Sequence, residues 1–369
     1  MKKLFISILV LFLGFNALAQ DPGYHFKPVV DLEATTVKSQ GRTGTCWCFS
    51  TISFLESELL RMGKPDYDLS EMYIVKKAYE EKARLYVGNH GMANFSQGGQ
   101  AHDVLNEMVD HGLVPESVYP GIQYSAEVHN HAELSTGLKY FLDGVLKAGQ
   151  PTTVWQEAFR AILDVYLGED PETFTYQGKE YTPTSFANDL GLNPEDYVEI
   201  MSYTHVPYYE KAPLLVPDNW SKDDYYNVPL DELIEIMNYS LTEGYTFVWD
   251  GDMSDKGFTR EGSIAVVENE EDEERLYLTQ PVQEKIIDQE YRQEQFETFN
   301  ITDDHLMHIT GLAEDQNGTV YYKTKNSWGT DHKYEGYWYM SEQFMRLHSV
   351  AIMVHKDAIP KNIRKKLDL

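Results

Sequence analysis

Downstream of Cys46, apolar residues recur at helical spacing. Phe49, Ile52, Leu55 and Leu59 share one face, which predicts a helix from Cys46 to about Met62. Thr43 and Thr45 are suited to cap its start and Gly63 to stop it. A second helix is predicted from Leu69-Ser70-Glu71 to about Arg84. A third follows Gly98-Gly99, with Val104, Leu105 and Met108 on one face and Gly112 at its end. Helical stretches also run from Leu134 to Ala148 and from Thr153 to Leu167. After Pro229, Leu230, Leu233, Ile234, Met237 and Leu241 form an apolar face that Gly244 terminates. Thereafter the period changes. Tyr245–Trp249, Met307–Leu312, Val320–Lys325, Gly336–Met340 and Val350–Val354 read as strands, and Asp315-Gln316-Asn317-Gly318 reads as a hairpin turn.

Between about 124 and 225 the helical stretches alternate with polar, Tyr-rich and Pro-broken segments such as Thr182-Pro183-Thr184 and Val206-Pro207-Tyr208-Tyr209. The many apolar and aromatic residues there favour an inserted subdomain over a long disordered loop. At the other end, Lys2-Lys3, an apolar run from Leu4 to Phe15 and Ala17-Leu18-Ala19 read as a secretory signal peptide cut after Ala19. The run is too short for a membrane span, which takes about 20 residues. The resulting division is a signal peptide (1–19), an N-terminal segment with a helical lobe (20–123), an inserted subdomain (124–225), and a β lobe with the C-terminal tail (226–369). The chain is expected to be exported, periplasmic or extracellular, with no stable membrane anchor.

The formal net charge of −28 becomes −30 without Lys2 and Lys3, so nucleic acid and anionic lipid are excluded as partners. The acidic run Glu268 to Glu274 reads as a solvated loop. The two cysteines, Cys46 and Cys48, would point to nearly opposite sides of a helix, so no disulfide is expected. Cys48 reads as a core thiol. His129-Asn130-His131 offers two histidines without further ligands, and neither metal nor cofactor is expected.

Candidate chemistry lies in three islands: Gln40-Gly-Arg-Thr-Gly-Thr-Cys46-Trp47-Cys48-Phe49-Ser50, then Asp304-His305, then Asn326-Ser327-Trp328-Gly329. They supply a thiol at a helix N-terminus, where the backbone dipole favours thiolate, an imidazole, a carboxamide to orient it, and a Gln able to bind an oxyanion. His305 would form an ion pair with Cys46 and protonate the leaving group. Asn326 would fix the imidazole, Trp328 would shield that bond, and Gln40 with the Cys46 N–H would bind the developing oxyanion.

These islands resemble the signatures of papain-like cysteine peptidases: Gln six positions before Cys, Trp directly after it, and the order Gln, Cys, His, Asn. Leu69-Ser70-Glu71 and Gln97-Gly98-Gly99 resemble that family's second-helix start and its substrate-binding turn. Further segments are similar to the bleomycin hydrolase and aminopeptidase C branch. These are Asn227-Val228-Pro229-Leu230-Asp231-Glu232-Leu233, Val248-Trp249-Asp250-Gly251-Asp252, Arg292-Gln293 and Asp304-His305-Leu306-Met307. The 259 residues between Cys46 and His305 suit a branch with a large insertion. The resemblance implies His305 rather than His308 as the catalytic histidine, because Asp304 precedes it and Gly311 follows it by six.

The resemblance also implies an α+β, two-lobed fold. A helical lobe carries Cys46, a barrel-like antiparallel β lobe carries His305 and Asn326, and a cleft lies between them. It implies peptide substrates met by the Gly98 and Gly99 backbone, Asp304 and Trp328. A chain-terminal carboxylate, here that of Leu369, would hold the substrate's amino terminus, and the protein would form a homo-oligomer, a hexamer in that branch. The implied activity is aminopeptidase. An endopeptidase with an open cleft and a catalytically silent binding protein are the alternatives.

Overall fold

The computed structural model describes residues 23–124, 127–267, 269 and 276–369. The expected signal peptide and most of the acidic run lie outside the described residues. The helices are α1 (Cys46–Arg61), α2 (Glu71–Gly88), α3 (Ala101–His111), α4 (Ala132–Lys147), α5 (Val154–Leu167), α6 (Pro183–Leu190), α7 (Leu230–Thr242), α8 (Gln289–Glu297), α9 (Glu342–His348) and α10 (Lys361–Lys366). The strands are β1 (Lys27–Asp31), β2 (Phe174–Tyr176), β3 (Lys179–Tyr181), β4 (Tyr197–Met201), β5 (Lys211–Pro213), β6 (Asp224–Asn227), β7 (Phe247–Gly251), β8 (Phe258–Thr259), β9 (Ile264–Ala265), β10 (His305–Glu314), β11 (Val320–Lys325), β12 (Tyr337–Ser341) and β13 (Ser349–His355).

Strands other than the β2–β3 hairpin form one sheet in the order β5-β6-β4-β13-β7-β10-β11-β12-β9-β8, with β1 added against β10. Pairing is antiparallel except at β4–β6 and β12–β9. The expected barrel-like lobe is replaced by an open sheet. Its edges, β5 and β8, are only three and two residues long and do not pair with each other. Strand β10 pairs β7 from His305 to Ile309 and β1 from Gly311 to Glu314. The crossing explains Gly311: a Cβ there would lie 2.3 Å from the Val30 carbonyl oxygen.

Neighbouring residues on a strand face opposite sides, and the core follows that alternation. Val248, Leu306 and Met353 join the cluster built by α1 to α6. Trp249, Met307 and Ile352, one position away, join the cluster under α7, α9 and α10. The sheet is therefore buried on both faces, and each fully buried large apolar side chain contributes about 1.5–3 kcal/mol.

Residues 124–225 divide between both layers. Leu138, Leu142, Phe159, Leu163 and Leu167 of α4 and α5 enter the same core as α1 and α2, whereas β4 to β6 extend the sheet. One local expectation is corrected. Thr45 occupies the position before α1, but its side chain makes no cap bond, because its hydroxyl pairs with that of Thr43 at 2.6 Å. Ser70, by contrast, caps α2 by accepting from the Tyr73 N–H.

Candidate active site

Cys46 is the first residue of α1 and is 8% exposed. Its sulfur lies beside the Leu306 N–H, one residue past His305, so the start of α1 abuts the start of β10. Both cysteines are free, and Cys48 points away into the core with its sulfur 3.3 Å from the Glu71 carbonyl. No hydrogen bond from the described residues uses the Cys46 N–H.

The imidazole is fixed by an argument in donors. Asn326 Oδ1 accepts from the Ser327 N–H at 2.7 Å and faces His305 Nε2 at 2.9 Å. A peptide N–H can only donate, so the amide oxygen must face this way. Nε2 must then carry the ring proton, which leaves the Nδ1 lone pair for a thiol proton. Trp328 stacks on the ring, with centroids 5.1 Å apart and planes at 30°, and the Arg260 guanidinium lies 4.4 Å over the indole. His308 sits elsewhere, fully buried, with Nδ1 2.9 Å from Ser53 Oγ.

Gln40 is joined to the same segment. Its N–H donates to the Ser327 carbonyl at 2.8 Å, and its Oε1 accepts from Ser327 Oγ at 2.5 Å. Its Nε2 donates one hydrogen to the Thr43 carbonyl at 2.7 Å, and no acceptor among the described residues takes the second. Behind the site lies a buried polar node. Lys325 Nζ donates to Ser53 Oγ at 2.7 Å and Thr35 Oγ1 at 3.0 Å. Glu56 accepts from Thr35 and from the Leu69 N–H, and Lys38 Nζ meets Glu71 at 2.8 Å. The node ties the N-terminal segment, α1, α2 and β11 together.

Burial pushes the Cys46 thiol up to about 12; the Leu306 N–H opposes this, and the charges of Asp303 and Asp250 add to it. Burial also lowers His305 to about 4, against the bond to Asn326. Burial thus disfavours the charged form of each group and works against the ion pair that the helix N-terminus favours. A charged sulfur would be desolvated and would face two carboxyls.

Gly99 lies against the nucleophile helix: a Cβ would stand 3.0 Å from the Trp47 ring. Gly99 is buried, and no hydrogen bond from the described residues engages its backbone. Gly98 is occupied. Lys82 Nζ bonds its carbonyl, and a Cβ would overlap the Asp218 carboxylate. Gln97 locks this turn to the nucleophile segment, since its carbonyl accepts from Trp47 Nε1 at 3.0 Å and its Oε1 from the Gly44 N–H at 2.8 Å. The Asp304 carboxylate accepts from the Met253 N–H at 3.0 Å and organises the turn after β7. Burial raises that carboxyl to about 6. Leu369 is not brought to Cys46. It packs against the core beneath α7, with its N–H on the Arg364 carbonyl, and α10 is tied to α7 by Lys366 and Glu232 at 2.6 Å.

Sequence reasoning missed the acidic residues of the cleft. Gln100, directly after Gly99, donates from its Nε2 to Asp303 Oδ2 at 2.7 Å. Asp303 lines a cavity of ≈ 480 Å³ with Leu215, Val216, Phe296, Phe299 and Ile301. Beside it, Asp250 on β7 is 3% exposed.

Three comparisons bear on this arrangement. The family model described as Peptidase C1-like family matches residues 73–369. Bleomycin hydrolase of Rattus norvegicus is 24% identical over 408 residues, covering 96% of this chain and 87% of that protein. Aminopeptidase C of Lactococcus lactis subsp. cremoris is 23% identical over 377 residues, covering 89% and 83%. The crystal structure of PepW from Lactobacillus rhamnosis superposes with a TM-score of 0.73 at 18% identity, covering 93% of this chain and 84% of that one.

Proposed function

The chain belongs to the Peptidase C1-like family and is a cysteine peptidase, and from that premise we propose that it trims peptides from their amino terminus by the following route. The Cys46 thiol proton passes to His305 Nδ1 as the sulfur attacks the scissile carbonyl. The oxyanion is received by the second Gln40 Nε2 hydrogen and the Cys46 N–H. His305 then returns the proton to the leaving amine, the C–N bond breaks, and a thioester remains. Water attacks it with His305 as base, which releases the acid and restores the thiol. The single observation that carries this route is the double acceptance at Asn326 Oδ1, because it leaves Nδ1 basic.

Two features support the aminopeptidase reading over an open endopeptidase cleft. Gln100, next to Gly99, is joined to Asp303, two residues before His305, and several relatives are named aminopeptidase C. A peptide amide with a free terminus, assayed beside its N-acetylated form, tests this: equal kcat/KM for the two refutes it. Loss of both activities in Cys46→Ala tests the nucleophile, and unchanged hydrolysis removes it.

Export is proposed on the strength of Lys2-Lys3, the apolar run and Ala17-Leu18-Ala19. Mass analysis of the mature amino terminus in secreted or periplasmic fractions tests it. Homo-oligomerisation, proposed from the family resemblance, is tested by native mass measurement. Among the described residues, no helix is long and apolar enough to cross a membrane.

A further inference from the structure

Two carboxyls of this cleft have no counter-charge. Asp250, on the central strand β7, is 3% exposed, and among the described residues no N–H or hydroxyl donor reaches either of its oxygens. Its partner is the Asp303 carboxyl. Asp303 has one oxygen on Gln100 Nε2 and faces the apolar cavity. The charges acting most strongly on the pair are Glu199, Asp218 and Asp304, and none of these is a cation. Burying a carboxylate without a cation or donors costs several kcal/mol. Asp250 is held well above the usual carboxylate range by burial and by Asp303, and burial lifts Asp303 to about 7, so the doubly charged pair is disfavoured. Asp303 at the cavity wall, backed by a buried carboxyl without a donor, is suited to receive a positive group.

The position of the pair narrows its purpose. Asp303 lies two residues before His305, Asp250 is one residue from the partner of His305 in the β7–β10 ladder, and both act on the Cys46 sulfur. Gln100 ties the pair to the turn whose Gly99 backbone is unclaimed. We propose that Asp250 and Asp303 form the subsite that holds the ammonium group of a bound peptide, with the adjoining apolar cavity taking the side chain next to it. The source of that ammonium is the free α-amino terminus, so this inference deepens the aminopeptidase reading and rests on it. It also assigns the task to side chains within the cleft, not to the Leu369 carboxylate. Binding has a chemical consequence: an ammonium at the pair cancels negative charge beside the sulfur and so eases transfer of the thiol proton to His305.

The experiment measures kcat and KM for three fluorogenic peptide amides. One is neutral with a free terminus, the second is its N-acetylated twin, and the third is N-acetylated with a Lys side chain near the scissile bond. The enzymes are wild type, Asp303→Asn, Asp250→Asn and Asp303→Glu. Iodoacetamide titration of one reactive thiol per chain establishes that each variant presents an intact nucleophile. The wild-type preference for the free terminus should fall by about 30-fold or more in Asp303→Asn, the loss typical of removing one member of a buried charge pair. Asp303→Glu should recover part of it. A preference retained in both Asn variants overturns the proposal and leaves the aminopeptidase reading intact. A wild type indifferent to acetylation overturns the aminopeptidase reading. If its rate on the Lys peptide then depends on Asp303, the ammonium site stands with a side chain as the source; if not, both fall.

Discussion

Replacing Asn326 by Ala tests the arrangement of the catalytic imidazole most directly. The substitution removes an oxygen that accepts at 2.9 Å from His305 Nε2 and at 2.7 Å from the Ser327 N–H. A buried donor left without an acceptor costs about 1–3 kcal/mol, which corresponds to roughly 5- to 150-fold in rate. Trp328 still holds the ring plane through its stack at 5.1 Å. The tautomer is then less biased but the ring stays in place, so the loss belongs in the lower half, about tenfold in kcat/KM. In the double variant with Trp328→Ala the two losses should exceed their sum, because each support compensates for the other. Asn326→Asp keeps both acceptor functions and adds a negative charge. It should raise the basicity of His305, which burial holds down near 4, and shift the acid limb of kcat/KM upward. The assay is steady-state hydrolysis of a fluorogenic peptide against pH, with calorimetric unfolding in parallel. An Asn326→Ala enzyme within twofold of wild type would refute the donor argument and return the choice of imidazole nitrogen to an open question.

Gln40→Ala should lower kcat on the order of 10²–10³ with little change in KM, as expected for losing one oxyanion donor; a KM effect alone would assign Gln40 to ground-state binding. Gly99→Ala should cost about 1–3 kcal/mol by overpacking against the Trp47 ring and Asp103, read as a fall in Tm together with lost activity, and an unchanged Tm would contradict it. His102 is raised to about 9: burial opposes the charged form, but Glu199 at 2.6 Å and Asp103 outweigh it. A raised histidine stabilises fully below its unfolded value near 6.5, and that stability is lost as pH rises through the folded value. Unfolding midpoints should therefore decline between about pH 6.5 and 9, and the decline should vanish in His102→Gln.

The nucleophile helix, α2, α3, α7 and β11 were legible because their signals are local. Apolar spacing, Ser70 and Gly112 define them without help from distant residues. Strand β4 and helix α9 were not. Tyr197–Met201 is shaped by pairing with β13 across 150 residues, and α9 is a seven-residue turn between strands, too short for periodicity to register. Cys46, His305, Asn326 and Gln40 stood out because their residue types are unusual in those surroundings. Asp250 and Asp303 did not, since an aspartate in a string carries no mark of the burial that gives it meaning. The burial at Cys46 was hidden for the same reason: a helix N-terminus can be read from sequence, but the desolvation that opposes it cannot.

The polar node behind the site has a temporal implication. Lys38, Glu56, Glu71 and Lys325 come from four separate stretches, and their contacts join β11, which leads directly into Asn326, to the nucleophile helix. A half-folded chain thus owns every reactive group yet has no working scissors. Hydrolysis should therefore appear only once the late β11 stretch has docked onto the early helices.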